Sequence, residues 1–162
     1  MATFPQPAIS LSQAFSSEQV EEARQLFREY AESLHFSLCF QGFDEELRTL
    51  PGAYSPPAGR LLLARCEDSS AGCIALRQLE SRICEMKRLY VRPEYRGKGI
   101  GKLLVDGIIA EARGIGYERM RLDTVASSMQ DAIALYRRRG FREIDPYRAN
   151  PIAGALYLEL LL

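Results

Sequence analysis

The feature that most constrains this chain is the stretch from Leu89 to Ile109, LYVRPEYRGKGIGKLLVDGII, which reads as strand, tight loop and helix without interruption. At its centre, Arg96-Gly97-Lys98-Gly99-Ile100-Gly101-Lys102 carries three glycines in five positions, so backbone N–H groups are left uncovered by side chains. Ile100, Leu104 and Ile108, with Leu103 and Val105 beside them, then recur at helical spacing. Uncovered donors at the positive end of a helix dipole form an anion site suited to a pyrophosphate, and Arg96, Lys98 and Lys102 add positive charge around it.

Spacing separates the kinds of phosphate loop. A Walker-type loop needs G-x-x-x-x-G-K-[ST]; counted from Gly97 its second glycine would fall on Lys102, and the lysine that follows Gly101 is succeeded by Leu103, which offers no hydroxyl to a magnesium ion. The dinucleotide fingerprint G-x-G-x-x-G would need glycine where Lys102 or Leu104 stands. What remains is [QR]-x-x-G-x-[GA], here Arg96-x-x-Gly99-x-Gly101, after a strand that ends in Val91-Arg92-Pro93.

That loop resembles the acetyl-CoA loop of the GNAT (Gcn5-related) N-acetyltransferases, and its surroundings agree. A short strand, Arg119 to Val125, and a second helix, Ser128 to Arg139, close on Ala134-Leu135-Tyr136-x-x-x-Gly140-Phe141, which looks like the family's A-x-L-Y-x-x-x-G-F signature. The resemblance is specific over Ile83 to Glu143 and uninformative for the first fifty or so residues. It implies acetyl-CoA as co-substrate, held by Arg96, Gly97, Lys98, Gly99, Ile100, Gly101 and Lys102. It also implies a splayed strand end at Leu89, Tyr90 and Val91, whose freed backbone groups would hold the pantetheine arm and face the thioester oxygen.

Connectivity points the same way. Ile9 and Leu11 alternate with Ser10 and Ser12 as in a short strand, and Ser16-Ser17-Glu18 offers an N-cap to a helix reaching about His35, with Val20, Ala23, Phe27, Tyr30, Ala31 and Leu34 on its apolar face. Asp44 to Leu50 suits one or two helical turns, and in the resembled family this region shapes the acceptor pocket. Leu61 to Cys66, Ala71 to Leu79 and Ile83 to Val91 read as antiparallel strands, after which two helical crossovers require a mixed sheet. Gly116 and Gly140 stop the crossover helices. Ala155 to Leu162 reads as a final strand, either buried or paired with a second subunit in a homodimer. The expected fold class is α+β (mixed α/β), the GNAT fold: a central mixed, mostly antiparallel sheet of about six to seven strands with helices on both faces. A length of 162 residues with 47% hydrophobic side chains suits one domain over 1–162.

Composition removes other classes. Twenty-one basic and twenty-one acidic side chains leave no net field to draw nucleic acid or an anionic membrane. Cys39, Cys66, Cys73 and Cys84 lack C-x-x-C spacing and His35 is the lone histidine, so neither a metal site nor a disulfide scaffold is expected. With no leader-like n- and h-regions in Met1 to Ser10 and no apolar run of membrane length, the expectation is a soluble cytoplasmic protein.

Acetyl transfer to an amine needs a deprotonated amine and a proton for the departing thiolate. Glu85 lies eleven positions before Arg96, where histone-acetylating members of the resembled family carry their base. A carboxylate in a core strand is costly unless used or paired, so Glu85 is either a general base or the ion partner of Lys87 or of an arginine. Tyr136 shares an apolar stripe with Met129, Ala132 and Ile133, which by itself says core packing; the resemblance implies a general acid aimed at the sulfur. Family members often carry asparagine seven residues before this tyrosine, where Met129 stands, leaving Ser128 or Gln130 as substitutes. Asp123 could face the acceptor amine or anchor a loop. The acceptor implied is a small-molecule primary amine, with Lys87 beside Glu85 suggesting one that bears a carboxylate such as an amino acid; a protein or peptide amine, or a non-catalytic acyl-CoA sensor, are the alternatives.

Overall fold

The computed structural model describes residues 4–127 and 129–162. Ser128, expected to open the second crossover helix, and residues 1–3 of the leader reading lie outside them.

β1 (Ile9–Gln13), β2 (Arg60–Cys66), β3 (Ser69–Glu80) and β4 (Ile83–Val91) pair antiparallel as successive neighbours. β5 (Arg119–Val125) runs parallel to β4, β7 (Ala155–Leu161) pairs antiparallel with β5, and the two-residue β6 (Arg142–Glu143) pairs with β7. The seven strands form one sheet in the order β1-β2-β3-β4-β5-β7-β6. Within its own chain β7 pairs along its length with β5, and through Leu158 and Glu159 with β6.

The helices cover opposite faces because the side chains of each strand alternate. Leu61, Leu63, Cys73 and Ala75 pack beneath α1 (Ser17–Ser33) and α2 (Phe43–Thr49), with Leu26, Phe27 and Phe43. Leu62, Ala64, Ile74 and Leu76 meet α3 (Ile100–Ile115) and α4 (Gln130–Arg138) through Leu104, Ile108 and Tyr136. α1 begins at a capping box: Ser16 Oγ accepts from Gln19 N–H at 3.1 Å, and Gln19 Oε1 from Ser16 N–H at 3.1 Å. α3 ends at Gly116, whose φ of +105° lets its N–H return to the carbonyls of Ala112 and Arg113. Among the described residues no helix is long and apolar enough to cross a membrane.

The close approach of β3 to the end of β4 sets the position of the loop that follows. A β-carbon on Gly72 would stand 2.4 Å from the Tyr90 carbonyl oxygen and 3.3 Å from Val91 Cα, so glycine is required for that approach. Gly72→Ala is expected to lower unfolding free energy by about 1–3 kcal/mol, read in urea denaturation as a lower midpoint at unchanged slope.

Candidate active site

Gly97 and Gly99 hold left-handed backbone, φ +77° and +79°, and a β-carbon at either would meet nothing within 4 Å. The loop therefore presents bare backbone to open volume. Gly99 caps α3 without a side-chain hydrogen bond, and the helical ladder starts with Leu103 N–H donating to the Gly99 carbonyl. The N–H groups of Ile100, Gly101 and Lys102 thus have no helical acceptor and stand at the positive end of a sixteen-residue helix, a cradle that fits a pyrophosphate. Arg96 turns its Nε back to the Val91 carbonyl at 3.0 Å.

A cleft of about 600 Å³ runs from this loop along the end of β4. Leu89, Tyr90, Val91, Arg96, Gly97, Gly99, Ile100 and Gly101 all border it, so eight of the ten expected cofactor residues share one space. Lys98 and Lys102 do not line it: Lys98 Nζ lies 5.5 Å from the centre of the Tyr95 ring, and Lys102 is exposed on α3. Met129 and Gln130 border it where α4 begins.

At its inner end the cleft meets a break in the sheet. The pairing of β4 with β5 spans Ile83–Arg119 to Glu85–Arg121. Beyond it β4 bulges: Ile74 of β3 stands opposite both Arg88 and Leu89, and Arg88 takes φ +63°. The widening gap holds a cavity of about 30 Å³, lined by β4 residues 86–89, by β5 residues 122–124, and by Tyr30, Met129 and Tyr136. Tyr30, Leu89 and Met129 border both spaces, so cleft and cavity adjoin.

Tyr136 reaches the gap from the α3/α4 face, its ring 5.6 Å from that of Phe141. Burial, and behind it Tyr30, push the phenol up, so the hydroxyl can give a proton but holds it at neutral pH. Asp123 lines the gap and accepts from Asn150 Nδ2 at 3.3 Å. Thr124 Oγ1, buried beside it, has no partner among the described residues.

Glu85 is fully buried and sits at the centre of a cation cluster instead of lining the cavity. Oε1 accepts from Arg77 Nε at 2.8 Å, Oε2 accepts from the Tyr147 hydroxyl at 2.6 Å and from Arg148 Nη2, and Lys87 Nζ is 3.8 Å away. Burial raises its carboxyl, but Lys87, Tyr147, Arg148 and Arg77 together outweigh burial and hold it below the usual carboxylate range.

Several residues at this site carried little sequence signal. Arg88, 2% exposed in its side chain, lies across the Phe43 ring at 5.1 Å and makes a two-pronged pair with Glu46 of α2 at 2.8 and 3.0 Å. Consecutive Lys87-Arg88 inside a core strand was the available clue. Tyr147, Arg148 and Asn150 come from the segment between β6 and β7, where nothing in the pattern announces a site. Tyr30 reads as one more apolar position of α1, yet it borders both spaces.

Residues 18–141 match the sequence model of the acetyltransferase (GNAT) family. A Schizosaccharomyces pombe protein named as an uncharacterized N-acetyltransferase is 40% identical over 154 residues, 94% of each chain. Among solved structures, a GNAT-family acetyltransferase from Staphylococcus aureus Mu50 superposes with a TM-score of 0.77 at 20% identity, over 94% of this chain and 98% of that one. The Salmonella typhimurium yncA structure, described with its cofactor acetyl-CoA, superposes with a TM-score of 0.66 at 18% identity, over 95% of this chain and 94% of its own.

The Glu46–Arg88 pair ties α2 to the bulge, and removing one partner strands a buried guanidinium. Glu46→Gln is expected to cost about 3–5 kcal/mol of stability, and Arg88→Met added to it is expected to recover more than half, measured by urea denaturation.

Proposed function

The chain belongs to the acetyltransferase (GNAT) family, and on that premise we propose that it binds acetyl-CoA in the cleft and transfers the acetyl group to the primary amine of a small molecule by direct attack in a ternary complex. The observation that carries this reading is the continuity of three features: bare N–H donors at the start of α3, the cleft along β4, and the β4–β5 gap that holds the Tyr136 ring. The loop N–H groups bind the pyrophosphate. The strand end at Leu89, Tyr90 and Val91 holds the pantetheine arm, with a backbone donor toward the thioester oxygen. Gln130, which borders the cleft, substitutes for the family's asparagine, whose position Met129 occupies. Tyr136 gives its proton to the departing sulfur.

The two faces of the gap divide the labour. Tyr136 enters from the α3/α4 side, while Lys87 and Asp123 lie on the face that α1, α2 and the 144–154 segment cover. The acceptor approaches from that second face, its ammonium drawn to Asp123 and a carboxylate to the edge formed by Arg77 and Arg148, whose side chains are 32% and 21% exposed. Of the two roles open for Glu85, its three hydrogen bonds support that of the anion that gathers these cations. Cys66, Cys73 and Cys84, buried as thiols, fit a reduced cytoplasm.

An acetyl-CoA-dependent thiol-release screen over amines, amino acids and peptides tests the reading directly. Turnover on small amines is expected; turnover confined to peptides would move the acceptor to protein amines, and tight binding without turnover would make the chain a sensor. Gly99→Glu places bulk and negative charge in the cradle, and the loss of two charge-assisted bonds at about 1.5–3 kcal/mol each lowers acetyl-CoA affinity at least ~100-fold by calorimetry. Tyr136→Phe keeps the ring against Phe141, so stability should change by no more than about 1 kcal/mol while turnover falls ~10–10³-fold at unchanged acetyl-CoA affinity. Unaltered turnover in that variant would remove the phenol from the chemistry.

A further inference from the structure

Acetyl transfer requires a group to take a proton from an acceptor that arrives as an ammonium, and the candidate carboxylate is occupied: both oxygens of Glu85 already accept from Arg77, Tyr147 and Arg148. We propose that Lys87 is the general base, its enclosed amine taking the acceptor's proton at the edge of the β4–β5 gap. The inference rests on the acetyltransferase reading above.

The geometry of Lys87 is unusual for a lysine. It stands on β4 two residues past the last β4–β5 pair, lines the same cavity as Tyr136 and Asp123, and its side chain is 4% exposed. An ammonium carries three donors. Nζ donates to the neutral amide Oε1 of Gln41 at 3.0 Å, whereas Glu85 Oε1 at 3.8 Å is too far for a hydrogen bond. A buried ammonium so poorly partnered is costly, and the neutral amine removes that cost.

Every element packed against Lys87 bears on its charge. β3 supplies Arg77, β4 supplies Arg88 and Glu85, the 144–154 segment supplies Arg148 and Tyr147, and β5 supplies Asp123. Glu46 of α2 is engaged by Arg88, and Tyr30 and Tyr136 face the cavity as neutral phenols. Three guanidinium groups thus face Lys87, two of them hydrogen-bonded to Glu85 and the third to Glu46, while Asp123 lines the same cavity. Burial first, then Arg88, with Arg77 and Arg148 in the same direction, bring Lys87 down to about 8 against the opposing pull of Glu85. A base is most effective when its pKa lies near the working pH, and the lowering of Glu85 takes it further from neutrality.

The step balances without oxidation or reduction. The N–H bond of the acceptor ammonium breaks and Lys87 Nζ gains that proton. The freed lone pair forms the N–C bond to the acetyl carbon as the C–S bond breaks. The second proton shed by the nitrogen equals the one the sulfur takes by way of Tyr136, and Lys87 returns its own to solvent.

The test combines titration and kinetics. In protein labelled with ¹³C-lysine, the resonance lost in Lys87→Met should titrate near 8, with the kcat/KM of the best amine rising through the same pH. Lys87→Met should lose ~10²–10⁴ in kcat at neutral pH, with the loss shrinking as pH rises and the amine deprotonates unaided, while acetyl-CoA affinity stays within about twofold. Lys87→Arg, which keeps the charge but cannot release it, should be equally inactive and fully folded. Arg77→Gln removes a cation that lowers Lys87, so the acid limb of kcat/KM should move to higher pH; a purely structural Lys87 would leave that limb in place. Lys87 titrating above about 10, or Lys87→Met turning over at wild-type rate, overturns the assignment while leaving the acetyltransferase intact. A wild type that binds acetyl-CoA and acetylates no amine overturns both.

Discussion

Three registered residue pairs, Ile83–Arg119 to Glu85–Arg121, join the antiparallel half of this sheet to its second half, and the site depends on their ending where they do. Had the parallel ladder continued, backbone hydrogen bonds would fill the space that now receives Tyr136 from one face and Lys87 and Asp123 from the other. The bulge at Arg88 and Leu89 keeps the strands apart, since a left-handed residue cannot continue a regular ladder. That conformation is unfavourable for an arginine. The two-pronged pair with Glu46 and the contact with the Phe43 ring hold it in place.

The polar interior follows from the same divergence. α1 and α2 cover the apolar face of β2 and β3, and from β4 onward that face becomes charged: Glu85, Lys87, Arg121, Asp123 and Glu159. Charges at such positions persist only when matched. Arg121 Nε meets Glu159 at 2.8 Å, Glu85 gathers Arg77 and Arg148, and Asp123 is held through Asn150. Lys87 donates to the neutral amide of Gln41 and has the Glu85 carboxylate 3.8 Å away.

Much of this was legible in the chain. Alternation of apolar residues predicted β2 to β5 within a residue or two, Ser16 and Gly116 marked the ends of helices, and three glycines before an apolar stripe marked the loop that opens α3. Each is a local rule in which a residue and its near neighbours settle backbone conformation. β6 and the 144–154 segment were invisible because two residues of strand and an irregular loop have no period to detect.

What the sequence by itself determined is therefore the fold class, the loop and the position of α4, since helical and strand periods and glycine's conformational freedom act over a few residues. Only the tertiary structure decided which charges meet. Glu85 lies 62 and 63 positions from Tyr147 and Arg148, and Glu46 lies 42 from Arg88. The role of a buried charge depends on what surrounds it in space, because in a low-dielectric interior the neighbours within a few ångströms set both its cost and its proton affinity.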